Sequence, residues 1–185
     1  MKKILNAMFL SLAVIGGGMS VTSCDEETIT QILSLLVGGQ ASTYSGTATL
    51  ECLEGTYEPM NYASLAKGTA TLQATVSPSS LNGTATLTIQ GVTLGDVTMG
   101  EVNLYNLAYT ANSDNTQCTM DLGESSSITG TFTYNGQSHE GSGAYIGKAV
   151  ATASTLTLEM TLYFGDEMTE AVNLTYSGKV VETAQ

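Results

Sequence analysis

The chain has no arginine and no tryptophan, one histidine and two prolines in 185 residues. Five lysines stand against 17 acidic residues, a net charge of −12. Phosphate binding needs clustered basic side chains, so this balance excludes a nucleic-acid footprint. Charged residues make up 12% of the chain, and one histidine leaves little material for acid–base chemistry. The longest mostly apolar run, Ile4 to Ile15, falls short of the roughly 20 residues that span a bilayer as a helix. Glycine and threonine are abundant instead: 20 residues are Gly, and about one in seven is Thr. Threonine favours pleated strands, and 42% apolar content is too high for an unfolded chain. The length suits one compact domain.

Lys2 and Lys3, the apolar run and the tetrad Val21-Thr22-Ser23-Cys24 describe a secretory signal over residues 1–23. The tetrad resembles the bacterial lipobox, which implies cleavage before Cys24 and acylation of its thiol and new amino group. The bland alternative is an ordinary signal with Cys24 incidental. Multiple acyl chains hold a protein on a bilayer where one binds only marginally, because each buried methylene contributes about 0.8 kcal/mol. Loss of Lys2 and Lys3 leaves three lysines against 17 acids, a net charge of −14. Asp25-Glu26-Glu27 resembles the acidic export signal of surface lipoproteins in gut Gram-negative bacteria, implying a surface-exposed outer-membrane anchor. It could equally be a solvated stub favouring the start of the next helix.

Residues 24–41 form the expected tether. Thr28-Ile29-Thr30-Gln31 fits a capping box, and Ile29, Ile32, Leu33 and Leu36 follow at helical spacing until Gly38-Gly39. A short helix from Thr28 to Val37 is predicted, either closing one end of the following domain or lying on the membrane.

From Ser42 the apolar period becomes two. In Thr155–Phe164, Leu156, Leu158, Met160, Leu162 and Phe164 alternate with mostly polar neighbours. Val172, Leu174 and Tyr176 repeat the pattern after a predicted turn at Gly165–Met168. Gly-Thr-Ala-Thr-Leu occurs at Gly46, Gly68 and Gly83 without a fixed period, which argues against a solenoid. The repeat reads as one solution reused, with Ala and Leu inward and Thr outward. Glu101–Thr110, Thr116–Leu122 and Ser127–Tyr134, with weaker candidates at Val92–Met99 and His139–Val150, bring the count to eight to ten strands. Asn82-Gly83, Asn112–Asn115 and Asn135-Gly136 punctuate them. Pro59 and Pro78 fall in connections.

Such strands build either a sandwich or a closed barrel. Regular hairpin spacing and few lysines to guard open edges favour closure. Tyr44-Ser45-Gly46, the run Leu87 to Val97 and the hairpin Leu156–Phe164 with Val172–Lys179 resemble calycin-like, lipocalin-related β-barrel lipoproteins of gut bacteria. The resemblance implies an all-β, antiparallel up-and-down barrel of about eight strands over residues 42–185, following the short N-terminal helix.

Barrels of this size either fill with side chains or hold one small ligand. Small inward residues (Ala48, Ala70, Ala74, Ala85, Gly130) face large ones: Leu87, Ile89, Phe132, Tyr134, Met160, Leu162 and Tyr176. These form either an interdigitated core or the lining of an apolar cavity for a small amphipathic ligand. Cys52 and Cys118 share inward parity and pair as a disulfide or stay as two buried thiols. His139 beside Glu140 lacks a nucleophile motif, and Asp166-Glu167 on a turn point apart. No catalytic residue, metal site or cofactor is expected. Two functional readings follow: a lipid-anchored binder of a small apolar molecule, or a filled barrel whose loops contact a protein or glycan.

Overall fold

The computed structural model describes residues 41–78, 84–111, 117–122 and 128–181. The described chain is all β and antiparallel, with twelve strands and no helix. The signal, Cys24, the helix predicted for Thr28–Val37, and the turns at Asn82-Gly83 and Asn112–Asn115 lie outside the described residues.

Two long strands open the fold: β1 (Ser42–Thr56) and β2 (Asn61–Pro78). β3 (Thr84–Ile89) pairs β2, and β6 (Val102–Ala111) pairs β3. β7 (Cys118–Leu122) pairs β6, and β10 (Gln137–Ala151) pairs β7. β11 (Thr155–Phe164) pairs β10, while β12 (Glu170–Val180) pairs both β11 and β1. Alternation decides the faces. In β1, Ala48, Leu50 and Cys52 are buried while Thr47 and Thr49 are exposed. The repeated pentapeptide obeys the predicted parity, since Leu50, Leu72 and Leu87 are all buried. Outward threonines meet across the ladder, as in the Thr43 Oγ1–Thr75 Oγ1 hydrogen bond of 3.0 Å.

Twelve strands stand where about eight were expected. The surplus is four short elements: β4 (Val92–Leu94), β5 (Val97–Met99), β8 (Ile128–Thr129) and β9 (Thr131–Tyr134). Backbone geometry accounts for them. Val92–Met99 folds back on itself at Gly95, which adopts φ 58°, so one candidate strand becomes a hairpin. Ser127–Tyr134 breaks at Gly130, where a Cβ would approach Val102 Cγ2 to 2.9 Å. β4, β5 and β9 then form a small ladder on the start of β10. It adds Val97, Met99 and Phe132 to the core, with the Phe132 ring 5.6 Å from that of Phe164. Asn135 and Gly136, both at positive φ, close the β9–β10 hairpin as the Asn-Gly signal predicts.

Candidate functional site

Six of the seven residues nominated as cavity lining gather in one buried cluster: Leu87 and Ile89 on β3, Phe132 on β9, Met160 and Leu162 on β11, and Tyr176 on β12. Tyr134 is half-buried and packs against its edge. The six clustered residues are 0% to 4% exposed. A wall lining a water-filled pocket would keep surface open to water, and these six residues keep almost none. Small residues sit beside large ones on neighbouring strands. Ala48 stands across from Tyr176, and Ala74 across from both Tyr44 and Ile89. These residues are therefore buried against one another and closed to water.

Tyr176 is the exception in its polar atom. Burial, and then the neighbouring Tyr44, push its pKa up to about 12. Among the described residues its hydroxyl has no hydrogen-bond partner. Tyr44, by contrast, donates to the Thr152 carbonyl at 3.1 Å. A buried unpaired hydroxyl costs about 1–3 kcal/mol. Tyr176→Phe should therefore raise stability by about 1 kcal/mol in urea denaturation; a loss of that size would reveal a partner for the hydroxyl.

The disulfide between Cys52 and Cys118 is not formed, and both are buried free thiols. Register explains the correction. Cys118 faces Ala151, which faces Leu156, which faces Gly178, which faces Gly46. That row meets β1 six residues before Cys52, roughly 20 Å of extended strand away, whereas a disulfide needs Cα atoms within about 7 Å. Inward parity was legible in the sequence; position along the strands was not. Burial pushes both thiols up to about 11 from the ordinary 9.0. The neutral form is thus favoured on folding, so this contribution is complete below pH 9 and declines as pH rises toward 11. At pH 8 iodoacetamide should label both thiols in denaturant and neither in the native protein; rapid native labelling would refute the burial.

His139 lies on β10, partly exposed. Its Nδ1 lies 3.4 Å from Glu170 Oε2, and Thr169 Oγ1 donates to the same oxygen at 2.8 Å. Glu170 is the one buried charged residue among those described, and sequence reasoning missed it. The signal was available, because Glu170 shares the inward parity of Val172 and Leu174. Asp166 and Glu167 sit exposed on the β11–β12 turn. Among the described residues no three His, Cys, Asp or Glu side chains come together to hold a metal.

Two surface features were not anticipated. The first is a shallow groove of about 420 Å³ on the outer face, over Gly147 and between Lys148, Glu159 and Thr175. The second is the β1–β2 tip. Tyr57 packs edge-on against Tyr163 at 5.3 Å, and the Tyr62 hydroxyl donates to the Met168 carbonyl at 2.6 Å. Gly55 N donates to Thr169 O at 2.8 Å. The tip is thereby strapped to the β11–β12 turn, with Met60 left 66% exposed. Both tyrosines fall near a turn, where a period of two gives no cue to which neighbour they meet.

Comparison with protein-family models, curated proteins and solved structures finds no match for this chain.

Proposed function

We propose that this chain is a lipid-anchored cell-envelope protein, a calycin-like up-and-down barrel that acts through its outer surface as a non-enzymatic interaction module. Barrel closure is supported by the pairings: β1, β2, β3, β6, β7, β10, β11 and β12 each have a partner on both sides, and β12 returns to β1. On this reading those eight strands make the barrel wall, and the four short strands are additions to it. The lipobox-like tetrad ending at Cys24 supplies the anchor to the outer membrane, and Asp25-Glu26-Glu27 its routing to the surface. The observation that carries the surface reading is the packed interior. A binder of apolar molecules needs an unfilled lumen, and the nominated lining residues are occupied by one another.

Native membrane extraction tests it. Mass spectrometry should find an acylated Cys24 peptide and no stoichiometric small molecule, and mild protease on intact cells should remove the mature chain. A ligand co-purifying at one per chain would overturn the surface reading, and an unacylated Cys24 the anchor.

The second reading, an internal site for a small amphipathic molecule, is favoured by one observation: the orphaned Tyr176 hydroxyl. A polar headgroup would satisfy it. In that case Tyr176→Phe would lower the yield of extracted ligand.

A further inference from the structure

Residues Leu53 to Ser64 carry the bend of the first hairpin, and the sequence there is unusual for an exposed tip: Glu-Gly-Thr-Tyr-Glu-Pro-Met-Asn-Tyr over 54–62. Solvated turns favour small polar residues, yet this one holds two tyrosines and an exposed methionine. Met60 adopts φ 32°, with its amide donating to the Tyr57 carbonyl at 2.7 Å, so its side chain is presented on a tight, closed bend. Tyr57 and Tyr62 are half-buried beside it. The straps to Met168 and Thr169 hold the tip in one place, which lowers the entropy lost when something docks.

Charge decides what docks. Glu54 and Glu58 on the tip, and Asp166 and Glu167 on the strapped turn, are all exposed. The described lysines lie elsewhere: Lys67 pairs with Glu51 at 3.4 Å, Lys148 faces Glu159, and Lys179 stands opposite Thr155 at the far end of β12. Four exposed carboxylates on the tip and on the turn strapped to it, with an exposed methionine between two half-buried tyrosines in sequence, complement a lysine-bearing chain. The carboxylates steer the cations, the ring faces attract ammonium groups, and the thioether adapts to the aliphatic stems. The tip lies at the end of β1 away from Ser42, separated from it by the length of a 15-residue strand.

We infer that the β1–β2 tip with the β11–β12 turn is a docking surface for a lysine-rich, extended segment of a partner protein. This deepens the surface reading above and rests on it. The test uses the full-length protein in zwitterionic nanodiscs and a fluorescein-labelled decapeptide of alternating lysine and alanine, with a glutamate–alanine decapeptide as counterpart and empty nanodiscs as blank. The lysine peptide should bind. Glu58→Gln with Glu167→Gln should weaken it at least tenfold, and Met60→Ser at least threefold. Glu101→Gln with Glu159→Gln removes equal charge elsewhere and should change it less than twofold. Circular dichroism checks that each variant is folded. Equal losses in the two double variants, tighter binding of the acidic peptide, or no binding of the lysine peptide would each overturn the inference. Those failures leave the surface reading standing; a co-purified stoichiometric ligand would overturn it.

Discussion

Gly178→Ala is expected to destabilise the protein by about 3 kcal/mol or more, near the limit for a single methyl group. Gly178 and Gly46 face each other on β12 and β1. A Cβ on Gly178 would run into the Tyr176 hydroxyl and lie 2.9 Å from its Cε1. The ring is 1% exposed and cannot swing away without displacing the core packed against it. Overpacking a core usually costs about 1–3 kcal/mol; here the obstacle is a rigid ring with little room to relax. Urea denaturation followed by circular dichroism measures the loss. Adding Tyr176→Val should recover much of it, giving a coupling energy well outside additivity. A Gly178→Ala variant within about 0.5 kcal/mol of wild type would show that Tyr176 does not lie over Gly178.

Phe132→Ala is expected to cost about 3–5 kcal/mol, the usual range for emptying a buried aromatic site. Phe132 is fully buried on β9 and reaches Phe164 at the end of β11. It ties the short β4–β5–β9 ladder to the long strands. Native-state hydrogen exchange should therefore show the amides of residues 92–99 and 131–134 losing protection before those of β1, β2 and β12. The interior reading stands on the same experiment. In a spacious, adaptable lumen the truncation would cost under about 1 kcal/mol and leave that ladder protected.

Several features are legible in the sequence. Parity placed Leu87, Ile89, Phe132, Met160, Leu162 and Tyr176 on the buried side, because successive side chains of a strand must point to opposite faces. The turns at Gly165–Met168 and Asn135-Gly136 were readable from residues that tolerate positive φ. Other features were not. The division of Val92–Met99 into two strands depended on one glycine turning back, and the break at Gly130 on the closeness of Val102. Glu170 was readable as an acid at an inward position, but its partner His139, 31 residues earlier, was not.

The strand class and the alternation of buried and exposed faces followed from the sequence, since both depend on the order of neighbours along the chain. Only the folded chain shows which buried residues gather in one cluster, whether Cys52 reaches Cys118, and what Tyr57 and Tyr62 rest on. Those outcomes depend on register and on distance between strands remote in sequence, and a period of two is silent about both.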